Sequence, residues 1–314
     1  MIWRLEVLSD RGFEGTVLGT LVMPYCSGMG NLIYAFVLGR QGGNGADVMT
    51  NNLVNNVTDM TLVLGLPTIV WGIRLLPSKS AGGKSGKNGK SSKGTKAKSA
   101  PDAHELNRLS LLMTLMAVLF FTGAVWALGR KGTLNENDSV VLIGLFLFWQ
   151  CIHVIEVLKS NVRQGKSLGW MWPLDLIALA ICSYAIYVSI DWLVAWVPNC
   201  GVKFIATHPG WLSGWMMVLP NAVLAFYYGA RGQPETVYAS QVGDCHVSIP
   251  LCLGVYTLFH PMTMPSFYHM GMWILLVSTL MHVFFVIFFG RLPKLFGVAL
   301  LVAYMFFLAN GLLG

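Results

Sequence analysis

Charge is scarce in this chain. Only 11% of its 314 residues are Asp, Glu, Lys or Arg, against roughly 25% in soluble domains. Hydrophobic residues make up 55%, and the mean hydropathy is +0.61. Runs such as "LLMTLMAVLFFTGAVWAL" and "HVFFVIFFG" weigh against a soluble helical protein with a large core. Paired cysteines are missing too. Cys26, Cys151, Cys182, Cys200, Cys245 and Cys252 form no CxxC, so neither a zinc site nor a redox motif is signalled, and buried free thiols are the default. HExxH, GxSxG and a GxGD-like aspartate pair are absent, which leaves an intramembrane enzyme without support; we expect a non-enzyme with no cofactor. The N-terminus, "MIWRLEVLSDRGFEG", has no uninterrupted apolar segment followed by a small-residue cleavage site. We read no cleavable signal there, and the first span would act as its own insertion signal.

What is present is apolar length. Stretches able to cross about 30 Å of hydrocarbon recur along the chain. We place spans at 13–39, 47–76, 107–129, 138–158, 171–197, 205–230, 237–260, 266–290 and 293–313. The expected fold class is an all-α polytopic membrane protein of about nine transmembrane helices. Between the second and third spans, "RLLPSKSAGGKSGKNGKSSKGTKAKSAPDAHELNR" carries seven lysines spaced by Gly, Ser and Ala. It cannot bury a core, so it reads as a disordered loop. Such a loop can bind nucleic acid or anionic lipid, but the plainer reading is a solvated loop with no nucleic-acid partner. The positive-inside rule makes it cytoplasmic. Alternation then puts Arg4, Arg11, Lys159, Arg163, Lys166, Arg231, Arg291 and Lys294 inside as well. The N-terminus is expected inside and the C-terminus outside, in a plasma (inner) membrane.

The chain also repeats itself. "NLIYAFVLGRQG", 31–42, and "NAVLAFYYGARG", 221–232, share Asn, Ala, Phe and two Gly at an offset of 190. Beyond a short loop, "NNVTDMTLVLGL", 55–66, meets "DCHVSIPLCLGV", 244–255, at an offset of 189. Two matching hairpins are the trace of an internal duplication in transporters. The first begins inside and the second, after five spans, outside, so the two are expected to be inverted repeats meeting near the midplane. The organisation expected is an N-terminal hairpin, 1–76; the Lys-rich loop, 77–106; the other helices of the first repeat, 107–160; a cytoplasmic linker, 161–170; and a second five-helix repeat, 171–314.

Polar residues interrupt these hairpins. Pro24, Gly28 and Gly30 precede Asn31, and Pro220 precedes Asn221; we expect broken helices whose freed carbonyls line a cavity. Asn55 and Asp59 are four apart and share a helix face. Asp244 falls at the repeat position of Asn55, and Ser248 at that of Asp59. A carboxylate inside the bilayer is costly and marks function by default. Carboxylate, amide and hydroxyl oxygens suit hard cations. The candidate ion ligands are therefore Asp59 and Asp244 as the charged pair, with Asn31, Asn221, Asn55 and Ser248 as neutral donors. The alternative for each is polar glue between helices, which we favour for Ser27, Thr58 and Thr61. His153 and Glu156 read as an interfacial pair, Asp175 and Asp191 as ends of the fifth span, and His246 as pointing away from Asp244. His282 reads as the maker of one interhelical hydrogen bond. Trp170, Trp172, Trp192 and Trp196 look like interfacial anchors.

These residues resemble the alpha-repeats of the calcium/cation antiporter superfamily, the sodium/calcium exchangers. Those repeats read roughly GTSxPE, a turn, then GNxxGSNxxNxxLVLG; the corresponding later parts here are "TNNLVNNVTDMTLVLG", 50–65, and "GDCHVSIPLCLG", 243–254. The resemblance implies an exchanger of two inverted five-helix repeats with central cation sites between the hairpins. It places the family's repeat glutamates at Asn31 and Asn221. The hydroxyl pair before the first glutamate falls at Ser27 and Gly28, and its second-repeat counterpart at Met217 and Val218. The serine of GSN falls at Asn55 and Asp244, and the later Asn or Asp at Asp59 and Ser248. Both glutamates have thus become amides, and only about twelve residues precede the first hairpin, so the family's first helix has no room. A nine-span chain would need a homodimer mate or a different motion. The implied function is antiport of Ca²⁺ or another cation against Na⁺ or H⁺ in a lipid bilayer; the alternative is a non-transporting, degenerate homologue acting as a binding or scaffold protein.

Overall fold

The computed structural model describes residues 23–73, 101–164 and 172–312. Its helices are α1 (Met23–Gln41), α2 (Gly45–Thr58), α3 (Leu64–Val70), α4 (Pro101–Gly129), α5 (Glu136–Gln164), α6 (Trp172–Trp196), the short α7 (Lys203–Thr207), α8 (Pro209–Ala230), α9 (Pro234–Thr257), α10 (Tyr268–Phe288) and α11 (Lys294–Leu312). A π-helical turn, Asp59–Val63, joins α2 to α3. Two-residue strands β1 (Thr133–Leu134) and β2 (Met262–Thr263) pair antiparallel, with Thr133 opposite Thr263. The N-terminal segment, the loop over 77–100 and the linker from 165 lie outside the described residues, with Trp170 and the side chains of Ser27, His153, Glu156, Trp172 and Asp175.

Polarity is distributed as hydrocarbon requires. Along α6, Ile177, Ile181, Tyr184, Val188 and Trp192 face outward; on α11, Leu295, Val298, Val302 and Met305 do. Buried at the centre are Asn31, Asn51, Asn52, Asn55, Asn56, Asp59, Asn221, Gln241 and Asp244. In lipid an apolar surface costs nothing, while every polar group needs an internal partner. Among the described residues, four helices are long and apolar enough to cross a membrane: Gly45–Val70, Leu111–Gly129, Tyr268–Phe288 and Lys294–Leu312. Trp192 and Trp196 stack at the end of α6, with centroids 5.8 Å apart.

The two hairpins close with the same turn. In the first, Gly43 N–H reaches Leu38 O at 2.8 Å and Gly42 N–H reaches Gly39 O at 3.3 Å. In the second, Gln233 N–H reaches Tyr228 O at 2.9 Å and Gly232 N–H reaches Gly229 O at 3.1 Å. Gly42 and Gly232 both have φ +69°. This is the left-handed helix stop that glycine accepts without penalty, and it explains why the two glycines recur 190 residues apart.

The hairpins pack reciprocally. α1 lies along α9, and α2 along α8, in the two most extensive helix pairings. Close approach of α8 to α2 depends on missing side chains: a Cβ on Gly210 would sit 2.6 Å from Asp47 O, and one on Gly214 2.7 Å from Val54 Cβ. Small residues one turn apart are how helices associate without a hydrophobic drive. Connections meet at both ends of the bundle. Gln41 Nε2 donates to Asp191 Oδ1 at 2.9 Å, and β1 pairs β2; Leu292 N–H donates to Ile73 O at 2.8 Å. Each contact joins segments that alternating spans put on one side.

Two expectations change. α8 runs through Pro220 without a break, and α1 runs past Gly28 and Gly30. A proline removes one backbone donor, but helices packed around it hold the rod straight enough to continue. The irregularity falls instead in the second helix of the first hairpin, at the π-turn that starts on Asp59. Thr58 and Thr61 do not bond across helices either: their hydroxyls donate to Val54 O and Val57 O, one turn back on their own helix.

Candidate functional site

Asp59 ends α2 and Asp244 lies midway along α9. Both are fully buried, and their carboxyl groups lie within hydrogen-bonding reach of each other. Asn221 of α8 joins them: its Nδ2 donates to Asp59 Oδ2 at 3.0 Å and to Asp244 Oδ2 at 3.2 Å. Asn55 Nδ2, one turn before Asp59, donates to Asp244 Oδ2 at 2.9 Å. Four of the six predicted residues therefore form one cluster, contributed by α2, α8 and α9.

The fifth, Asn31 of α1, is buried, and among the described residues neither of its amide atoms has a hydrogen-bond partner. Asn55 Oδ1, Asp59 Oδ1 and Gln241 Oε1 are also buried and have no partner among the described residues. A buried polar atom without a partner costs about 1–3 kcal/mol. Several around one acid pair mark a place built to receive something that the protein does not itself supply. Oxygen atoms of this kind fit a hard cation. α1 comes close enough to take part: a Cβ on Gly28, one turn before Asn31, would stand 3.0 Å from Asp244 Oδ1.

Ser248, the sixth, is engaged elsewhere. Its hydroxyl donates to Asn56 Oδ1 at 2.7 Å, while Asn52 Nδ2 donates to Ser248 O at 2.8 Å and Asn56 Nδ2 to Asn52 O at 2.7 Å. This trio braces α2 against α9. Ser248→Ala would strand Asn56 Oδ1 in the interior. We expect it to lower stability by about 1–2 kcal/mol and to leave cation flux within about threefold, a difference below 1.4 kcal/mol; chemical denaturation and vesicle flux measure the two.

Gln241 was missed by motif reading. Its Nε2 reaches Asn221 O at 3.3 Å and Ser240 Oγ at 3.0 Å, which leaves its Oε1 directed into the interior beside the cluster. Two signals would have found it: it precedes Asp244 by three on one helix face, and it is the counterpart of Asn52 at the same 189-residue offset. His246, by contrast, turns away as expected, with Nδ1 against Gly243 O at 2.7 Å and its ring facing Phe146.

A helical bundle with apolar outer faces and a buried pair of acids among amides defines a class: an integral membrane protein with a polar site at its core. The sequence model of the family described as sodium/calcium exchanger protein matches residues 1–154. The fold is similar to that of the sodium-calcium exchanger NCX_Mj. For NCX_Mj soaked with 10 mM Na⁺ and 10 mM Sr²⁺, the TM-score is 0.64 at 17% identity, over 96% of this chain and 89% of that one. For NCX_Mj soaked with 2.5 mM Na⁺ and 10 mM Sr²⁺ it is 0.62, with the same identity and coverage. With 2.5 mM Na⁺ and 0.1 mM Ca²⁺ it is 0.61, at 18% identity and the same coverage. A search of the curated proteins found no match. The family model thus reaches over residues 1–154, and the likeness of fold extends over nearly all of the chain.

Proposed function

We propose that the protein is a secondary active cation antiporter, exchanging Ca²⁺ or another cation against Na⁺ or H⁺ by alternating access to one midplane site. The observation that carries this is the acid pair. Two buried carboxyl groups in contact are stable only with a cation or a proton between them, and among the described residues Asp59 meets Asp244 and Asn221 rather than a basic side chain. A site that must hold one cation or another is what an exchanger needs. Asp59 and Asp244 would be the charged ligands. Asn31, Asn55, Asn221 and Gln241 would supply neutral oxygens, since an asparagine amide turned over presents its carbonyl where its N–H₂ had been. Ser248 would hold the frame.

Symmetry supports the transport reading. The matched glycine turns, the offset repeat and the reciprocal pairing of α1 with α9 and α2 with α8 fit two inverted hairpins related by an axis through the site. Nine spans, with the N-terminus and the Lys-rich loop cytoplasmic, would satisfy both the charge bias and the contacts between connections. A scaffold is not favoured, because a non-transporting protein has no use for buried carboxyls that cost stability.

An access route is also suggested. A cavity of about 330 Å³ is lined by Tyr34, Gln41, Asn44, Asp47, Val194 and Ser213, among others. Ser213 Oγ accepts from Asn51 Nδ2 at 3.1 Å, and Asp47, Asn51, Asn55 and Asp59 follow one another at four-residue spacing along α2. The Asp47 carboxyl group in its lining would draw a cation in. In a chain with its native cysteines replaced, Ser213→Cys is expected to react with a membrane-impermeant methanethiosulfonate applied on the side of the 42–44 turn, and the reaction to block flux. Labelling from the opposite side only would exclude this route.

The function itself is tested in reconstituted vesicles under Na⁺, Ca²⁺, Mg²⁺ and H⁺ gradients. Counter-gradient uptake of a cation supports antiport; its absence under every gradient removes it.

A further inference from the structure

The turn that carries Asp59 is held by a residue outside both hairpins. In an α-helix the Leu64 N–H would bond Met60 O, four residues back. Here it is directed to Asp59 O and Thr61 O. Met60 O has lost its helical donor, and His282 Nε2 of α10 lies 3.0 Å from it. A carbonyl only accepts, so Nε2 carries the proton. The imidazole is fully buried and sits edge-on to Tyr238 of α9 at 5.4 Å and to Phe296 of α11 at 5.1 Å. Tyr238 precedes Gln241 by three residues and Asp244 by six on α9. One side chain from α10 thus touches both segments that carry the acids.

We infer that His282 is a positioning residue for the acid pair: by donating to Met60 O it keeps the π-turn open and so keeps Asp59 turned toward Asp244. The inference deepens the proposed cation site and rests on it. Its physical basis is a competition for one carbonyl. Without the imidazole, Met60 O is a buried acceptor seeking a donor, and the Leu64 N–H is the nearest backbone candidate. Taking it would close the wide turn into an ordinary α-helical one. A change of register by one residue rotates a side chain by about 100° about the helix axis, enough to take a carboxylate out of a shared site. π-turns recur at functional sites because they place a side chain where regular geometry would not.

The test uses the full-length protein in detergent and in vesicles, with His282→Phe, His282→Gln and His282→Asn. Phe keeps a ring and loses the donor. Gln carries an N–H₂ at about the reach of Nε2, and Asn falls short of it. Two quantities are read: hydrogen–deuterium exchange over residues 57–66, and the concentration of CaCl₂, MgCl₂ or NaCl that gives half of the thermal stabilisation by that salt. For Phe and Asn we expect slower exchange at Leu64, whose N–H then makes an ordinary α-helical bond to Met60 O, and a half-stabilising concentration raised about tenfold, the effect of one lost buried hydrogen bond. Gln should stay within about threefold of the native chain, a difference below 1.4 kcal/mol. In vesicles the same variants should raise KM while kcat is kept. Unchanged exchange and unchanged cation response in both Phe and Asn variants, whatever their melting temperature, would reduce His282 to packing and overturn the inference, with the acid-pair site left standing. If no salt stabilises the native chain, or if Asp59→Asn responds to salt as the native chain does, the cation site falls and the inference with it. Should the Phe variant fail to fold, the Gln–Asn contrast decides.

Discussion

Asp59→Asn is expected to abolish cation-driven flux while the chain still folds and inserts. The replacement is nearly isosteric. The asparagine Oδ1 can still accept from Asn221 Nδ2, as Asp59 Oδ2 does at 3.0 Å, and its own Nδ2 can donate to Asp244. The variant therefore relieves a contact between two buried carboxyl groups, and we expect a cation-free melting temperature equal to or above that of the native chain. What it loses is one of two charges available to a cation. Hydrogen bonds to charged groups are worth about 1.5–3 kcal/mol each, so a loss of about 10- to 100-fold in cation affinity should follow. A ligand that binds only the folded state at 100 times its Kd adds about 2.7 kcal/mol of stability. The native chain should show that gain on addition of its cation, and the variant should not. Native-like flux in the variant would remove Asp59 from the ligand set. Loss of folding would show instead that the acid pair is structural.

Gly28→Ala and Gly28→Val come next in expected effect, because stability and function should move in opposite directions. Gly28 lies in α1, and alanine in place of glycine inside a helix is worth about 0.5–1 kcal/mol in favour of the helix. Yet the new Cβ would stand 3.0 Å from Asp244 Oδ1 and 3.8 Å from Val247 Cγ1. The carboxylate oxygen must give way, and it is the one on the side of α1, where Asn31 holds an amide with no partner among the described residues. We expect the alanine variant to lose about tenfold in cation affinity, equal to 1.4 kcal/mol, with a melting temperature unchanged or raised. The valine variant should lose transport altogether, since its branched side chain fills the approach. Isothermal titration with the transported cation and vesicle flux measure both. A valine variant that transports like the native chain would mean that no cation passes between α1 and Asp244.

Much of the protein was legible as sequence. The scarcity of charge together with long apolar runs dictates a bilayer as solvent, and the outward-facing Ile, Val, Leu and Trp of α6 and α11 obey it. Gly42 and Gly232 could be paired at an offset of 190 because each hairpin needs a left-handed residue at its turn, and glycine alone fills it cheaply. Asp59 and Asp244 stood out because a carboxyl group in an apolar helix needs a reason. The proline-based expectation of broken helices failed because a missing N–H weakens a helix without deciding where packed neighbours will let it deform.

The sequence by itself determined the solvent, the helices, the repeated turn and which side chains were too costly to be idle. Only the tertiary structure decided which of them meet. The repeat offset pairs Asp59 with Ser248 and Asp244 with Asn55, yet the two acids contact each other while Ser248 bonds Asn56. Periodicity describes one helix at a time. Contact between helices depends on crossing angle, on a one-residue widening at Asp59 and on the missing Cβ of Gly28, none of which is encoded in spacing along the chain. For the same reason His282, 222 residues from Met60 in sequence, could be assigned one interhelical bond but not the carbonyl that receives it.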